Sequence, residues 1–185
     1  MARAGLTASS VVAAGAELAD EQGLREVTLA RLASRLGVRA PSLYSHVGGL
    51  EDLRERIAAR GAEQLAAVLQ EAAAGRSGGD ALAAIAHAYR AYALEHPGSY
   101  EALQRAPAGS GPGAEAAGRV VAVVVAVLAG YGFEGDRAIH ATRTIRAALH
   151  GFVSLEAGGG FAMPQPPDES FAELIATLDR GLRDR

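Results

Sequence analysis

The chain has 185 residues, 49% of them hydrophobic and 21% charged, with a net charge of −3. That length holds one large core or two small ones, and the mild acidity argues against a general, charge-driven nucleic-acid binder. The absence of cysteine excludes a disulfide framework, a thiolate metal site and a cysteine nucleophile.

All 18 basic residues are arginine. The longest apolar run, 120–129, has ten residues, against the roughly 20 a membrane-spanning helix requires. No secretory signal is seen, and a soluble, cytoplasmic protein without a membrane partner is expected.

Residues 1–5 read as a loose arm. Thr7 caps a first helix running to about Gln22, with Leu6 and Val11 as a hydrophobic staple and Gly23 as the stop. Val11, Ala14, Leu18 and Ala19 form its buried stripe. Gly15 costs about 1 kcal/mol of helix propensity relative to alanine. It either lets a neighbouring helix approach closely or is neutral.

Residues 28–47, TLARLASRLGVRAPSLYSHV, read as two short helices joined by a tight turn. Thr28 is the N-cap of the first, and Val27 and Leu32 close its start. Leu29, Leu32, Ala33 and Leu36 share one face. Gly37 takes the positive φ wanted at a helix end. The second helix starts near Ala40 and Pro41, and Leu43 and Val47 return to the core. Ala33, small at a helix crossing, then Gly37, then Leu43, is helix-turn-helix spacing. By itself this pattern also fits helical hairpins that never meet DNA. The outward residues of the second helix are Arg39, Ala40, Ser42, Tyr44, Ser45 and His46, types suited to phosphate and base-edge contacts. Between 24 and 47 there are four arginines against one acid, and local charge sets the phosphate attraction.

A fourth helix is expected over 49–74, with Leu53, Ile57, Leu65, Val68 and Leu69 in helical register and Glu51 and Asp52 in its first turn. Residues 75–79 form a loop and Asp80 caps a helix over 81–95, carrying Leu82, Ile85, Tyr89 and Tyr92. Pro97-Gly98 stops it. A short helix spans 99–105, and 106–113 is a turn-rich connection. The valine-rich 115–130 reads as a helix buried on most sides, since no partner strand exists elsewhere. Asp136 caps a long helix to about Glu156, and the glycine run at 158–160 ends it. Asp168 caps the last helix. Its stripe of Phe171, Leu174, Ile175, Leu178 and Leu182 is clean. The fold class expected is all-α, about nine helices.

The segments 28–36, Gly37-Val38, Pro41-Ser42-Leu43-Tyr44, His46-Val47 and Leu53 resemble the DNA-binding segment of the tetracycline-repressor (TetR) family. The resemblance begins at Leu6-Thr7, and its specific part is Leu-Tyr-x-His after the Gly-Val turn. His150-Gly151 is similar to a His-Gly pair in the C-terminal domain of one TetR subgroup. The resemblance implies a helix-turn-helix domain over 1–48 and a ligand-binding and dimerisation domain over 49–185. Thr28, Arg39, Ala40, Pro41, Ser42, Tyr44 and His46 become the expected DNA contacts. The family usually has Lys or Arg four residues after the His. Here that position is Leu50, preceded by Gly48-Gly49, so that phosphate contact either comes from free amides at the helix start or is missing.

Outside the resemblance, the last two helices are apolar enough to need a second copy. Ile145, Leu149, Phe152, Phe171, Leu174, Ile175, Leu178 and Leu182 are the expected homodimer face, in a four-helix bundle. The alternative is a monomer whose stripe simply finishes the core. An effector pocket with His87, Tyr92, His140, Arg143, Arg146 and His150 as polar anchors is expected, against the reading that these residues pair or face solvent. No metal-ligand spacing, cofactor motif or nucleophile–base set is present, and GRSGGD lacks the Walker lysine. With the resemblance, the function expected is a ligand-responsive regulator, a repressor released from a palindromic double-stranded DNA operator by a small molecule, and not an enzyme. The alternative is a small-molecule-binding or enzymatic helical bundle without DNA binding.

Overall fold

The computed structural model describes residues 6–105 and 112–184. Among them there are eight α-helices and two 3-10 segments, and no strand. The helices are α1 (Ala8–Gln22), α2 (Leu29–Leu36), α3 (Leu50–Ala73), α4 (Gly78–Glu95), α5 (Pro97–Arg105), α6 (Pro112–Ala129), α7 (Gly135–Ala157) and α8 (Pro167–Arg183). The 3-10 segments are Leu24–Glu26 and Ala40–Ser45. The segment at 40–45, expected as α-helix, is therefore the tighter form, which serves in short pieces. Counted with the α-helices, it gives the expected nine. The arm at 1–5 and most of the 106–113 connection lie outside the described residues.

The chain divides into two compact units: 1–64 with 95–117, and 65–94 with 118–185. In the first, α1 starts as its sequence dictates. Thr7 Oγ1 accepts from the Ser10 amide at 3.1 Å, and Ser10 Oγ accepts from the Thr7 amide at 2.9 Å, a reciprocal capping box. Val11, Val27, Leu32, Leu43, Leu53 and Ile57 are wholly buried and form its core with the alanines of α1. The Gly15 question resolves toward close approach. A Cβ there would meet Leu53 Cδ1 at 3.1 Å and Ile57 Cδ1 at 3.2 Å.

The tightest crossing in this unit is between α1 and α5, and the periodicity of neither helix announces it. A Cβ on Gly98 would lie 2.1 Å from the Ala19 carbonyl oxygen, so only glycine fits. The adjacent Asp20 carboxylate caps the start of α5. Ser99 donates its amide to Oδ1 at 2.7 Å and its hydroxyl to Oδ2 at 3.2 Å, and His96 Nδ1 lies 3.2 Å from Oδ2. The proline that stops α4 is thus also the first residue of α5, where its missing N–H costs nothing.

In the second unit, Leu65, Leu69, Leu82, Ile85, Leu128, Ile145, Leu149, Val153 and Phe171 are buried. The valine run of α6 is helical, yet only one side is covered. Val127 and Leu128 are buried, while Val121, Ala122, Ala126 and Ala129 are exposed. Arg90 of α4 is the polar pin. Its Nε donates to Glu156 Oε2 at 2.7 Å and its NH2 group lies 2.7 Å from Asp168 Oδ1. Its guanidinium also sits 4.9 Å from the centre of the Phe171 ring. Tyr131 donates to Asp179 at 2.6 Å, and Arg183 holds the other carboxylate oxygen at 2.9 Å.

Three expected caps shift. Asp80, Asp136 and Asp168 all lie inside the first turn, because the helices begin earlier, at Gly78, Gly135 and Pro167. Acids there still suit the positive end of the helix.

Substituting Gly98 by alanine should force α1 and α5 apart. The expected loss is about 3 kcal/mol or more, read as a lowered melting temperature with the helix content of the folded state retained. An unchanged melting temperature would show the crossing to be slack.

Candidate nucleic-acid interface

The interface is built on a helix end. At Gly37, φ is +66° and the left-handed turn closes with Val38 N–H donating to the Ala33 carbonyl at 3.0 Å. Thr28 caps the other end of α2 through its hydroxyl, which accepts from the Arg31 amide at 3.2 Å. The chain then enters the 3-10 segment with Arg39 in extended conformation and Pro41 in its first turn. Leu43 is fully buried, and Val47 nearly so. With one side fixed in this way, the other is outward. Thr28, Arg39, Pro41, Ser42 and Tyr44 are exposed, Tyr44 at 62%, and Ala40 and His46 are half-buried. All seven expected DNA-facing residues therefore fall at the ends of α2 and along the segment after it. Arg39 forms no hydrogen bond or ion pair among the described residues. Ser45, counted outward as well, donates its hydroxyl to the Ser42 carbonyl at 2.8 Å.

Two expectations about charge change. First, the arginine excess over 24–47 is offset from outside that window. Arg35 is bidentate on Glu21 of α1, at 2.6 and 2.7 Å, and reaches Glu17 at 3.2 Å, while inside the window Arg31 pairs with Glu26, the one acid counted there, at 2.8 Å. The Arg35 hydrogen bonds hold the Glu21 carboxyl below its ordinary range. Second, the amide just ahead of α3 is not free. Gly48 N–H donates to Asp52 Oδ2 at 2.7 Å, and the same carboxylate accepts from Arg56 Nε at 2.9 Å. Arg56 first, then the Gly48 amide, hold the Asp52 carboxyl below its usual value. The Gly48 amide is thus taken, while the amides of Leu50, Glu51 and Asp52 in the first turn have no acceptor among the described residues. An acid at the third helical position is the signal that would have revealed it.

The expected effector anchors do not form one lining. On α7 the buried positions are Ala138, Ala141, Thr142, Ile145, Leu149 and Val153. His140, Arg143 and Arg146 lie on the exposed side, pointing away from the core in which an enclosed pocket would form. His87 is exposed too, its ring edge-on to Phe171 at 5.4 Å. Tyr92 is buried and His150 half-buried, with burial and then the Arg146 charge holding the His150 imidazole below its ordinary range. Thr142 is not singled out by sequence, yet its hydroxyl is buried without a hydrogen-bond partner among the described residues.

The expected dimer stripe is corrected in a similar way. Ile145, Leu149, Phe171, Ile175 and Leu182 are buried by their own chain, so they are not open to a second copy. Phe152, Leu174 and Leu178 remain half-buried. An apolar helical stripe reports that something covers it, not which molecule does.

Residues 11–57 match the family described as bacterial regulatory proteins, tetR family, and 82–178 match the tetracyclin repressor-like C-terminal domain. The chain is 39% identical to the uncharacterized HTH-type transcriptional regulator Rv0681 of Mycobacterium tuberculosis (strain ATCC 25618 / H37Rv), over 97% of this chain and 83% of that protein. It is 37% identical to the uncharacterized HTH-type transcriptional regulator YobS of Bacillus subtilis (strain 168), over 97% and 94%. Its fold is similar to that of a protein with unknown function from Rhodococcus sp. RHA1, at a TM-score of 0.82 and 24% identity over 97% and 96% of the two chains. Among the described residues no helix is long and apolar enough to cross a membrane. With the turn at Gly37 behind an outward Leu-Tyr-x-His segment, and with both family models matched, this chain belongs to the TetR family of helix-turn-helix transcriptional regulators.

Proposed function

We propose that this regulator is a homodimeric repressor that binds a pseudo-palindromic operator and is released by a small molecule. Residues 1–48 carry the DNA contacts and 49–185 the effector and dimer functions. The observation that carries the reading is the exposed side of the segment at 40–45 behind the left-handed turn. Arg39 reads a guanine edge or a phosphate. Tyr44, Ser42, Thr28 and His46 hold phosphates, and Ala40 and Pro41 shape the approach. In the dimer, two such segments enter successive major grooves about 34–36 Å apart. The effector acts through whatever difference it makes between two conformers, and a shift from 1:99 to 99:1 needs about 5.5 kcal/mol of differential binding. Tyr92 and the unpaired hydroxyl of Thr142 are the polar anchors the core of the second unit offers.

The second copy is received on the exposed sides of α7 and α8. On α7 these carry Arg137, His140, Arg143 and Arg146, and on α8 Glu169 and Glu173. Under two-fold symmetry the cationic stretch of α7 at 137–146 meets the acidic start of the partner α8, away from Arg180 and Arg183 at its end.

In gel shifts on the DNA flanking its own coding region, Arg39→Ala and Tyr44→Ala should each abolish the retarded band while the oligomer stays intact. Wild-type binding by both variants would mean the recognition segment is misassigned. Asp52→Asn removes a charge from the phosphate-facing helix start, and operator binding should strengthen about threefold at low salt, the gain fading as salt screens it. Unchanged or weaker binding would place Asp52 away from DNA. In sedimentation, Arg143→Glu should weaken the dimer about tenfold, and adding Glu173→Arg should restore it. A dimer indifferent to the first change would place Arg143 outside the interface.

A further inference from the structure

A 3-10 segment has about three residues per turn, so side chains three apart stack in rows. Around the segment at 40–45 this sorts the chain into three rows. Ala40, Leu43 and His46 make the inward row, Leu43 fully buried and the other two half-buried. Pro41 and Tyr44 make a second row, and Arg39, Ser42 and Ser45 a third, and these residues are all exposed. An α-helix of the same sequence, at about 3.6 residues per turn, would blend the two outer rows. The segment is also short. Six residues rising about 2 Å each cover about 12 Å, roughly three or four base-pair steps.

The outer rows differ in chemistry. The Pro41–Tyr44 row carries one polar group, the Tyr44 hydroxyl, and no cation. A hydroxyl on a rigid ring suits a phosphate oxygen. In the other row Ser45 is occupied, its hydroxyl given to the Ser42 carbonyl at 2.8 Å. Arg39 starts that row from extended backbone and forms no hydrogen bond or ion pair among the described residues. Other base readers are missing. Between Val38 and Val47 there is no Asn or Gln to span adenine, and no Asp or Glu to accept from cytosine. The parallel N–H groups of a guanidinium match guanine O6 and N7. We propose, resting on the regulator reading above, that the two rows divide the work. Arg39 reads one guanine in each operator half-site through O6 and N7, which makes it the specificity-determining residue. Tyr44 holds a backbone phosphate and reads no sequence.

The test is selection of duplexes from a randomised pool by the full chain, by Arg39→Gln and by Tyr44→Phe. Wild type should recover a two-fold motif with one invariant guanine in each half-site. Arg39→Gln should recover the same motif with adenine at that place, because glutamine spans adenine N6 and N7. Tyr44→Phe should recover the wild-type motif, with affinity about tenfold weaker for every sequence. Replacing the invariant guanine by 7-deazaguanine, in which C–H stands for N7, should weaken wild-type binding about tenfold. Both side chains are exposed, so the melting temperature of each variant should match wild type. The proposal is overturned if 7-deazaguanine binds wild type as guanine does, if Arg39→Gln still recovers the guanine, or if Tyr44→Phe alters the motif. A pool that yields no motif for wild type would sink the regulator reading itself, and this inference with it.

Discussion

Six residues between Ala40 and Ser45 must bury one leucine and leave nearly everything around it to solvent. An isolated helix of that length has no stability of its own. What holds it is Leu43, fully buried, together with Val47 behind it, and burying such a side chain is worth about 1.5–3 kcal/mol. The left-handed turn at Gly37 aims the segment, and Ala33 leaves room for it. Once Leu43 is seated, a tight 3-10 turn has little freedom left. Arg39, Ser42 and Tyr44 then point outward because no other arrangement keeps Leu43 inside. The outward surface is therefore a by-product of core packing, and the supports of the core reach further than the helix-turn-helix itself. Gly15 admits Leu53 and Ile57 of α3, and Gly98 admits α5 against α1.

Where the sequence was legible, it was so for local reasons. Helical periodicity, the Thr7 and Thr28 caps and the glycine at the end of α2 each depend on neighbours within a turn. The structure places them as that reading expects. Failures came where a long-range partner decides. Asp168 looked like a cap, yet it is a ligand of Arg90 from α4. Four arginines over 24–47 looked like a positive patch, yet Glu17 and Glu21 of the preceding helix reach across to Arg35. The two halves of each pair lie on different helices, so no helical period brings them together.

The apolar stripes of α7 and α8 failed for a different reason. Period alone shows which residues share a face, and Ile145, Leu149, Phe171 and Ile175 do share one. It does not show that their own chain already covers that face. The residues left outside, His140, Arg143 and Arg146, then looked like pocket anchors because a polar residue on an apolar helix invites that reading. Their real distinction is that they sit opposite the buried stripe.

The electrostatics of the DNA-facing unit follow one pattern. Arg35 is spent on Glu21 and Glu17, Arg31 on Glu26, and Arg56 on Asp52, which also takes the Gly48 amide. Each such pair subtracts from the phosphate attraction that would otherwise supply sequence-independent affinity. With the contacts proposed for the 40–45 segment, base-edge readout then makes up a larger share of what remains. For a repressor this matters in release as well as in binding. An effector can move the equilibrium only by its differential affinity for the two conformers, typically about 1–3 kcal/mol of coupling. A protein held to DNA by many unpaired arginines would need more than that to let go. With Arg31 and Arg35 neutralised by nearby acids, the proposed contacts keep the binding energy within reach of a small molecule and leave discrimination to the few side chains that Leu43 holds outward.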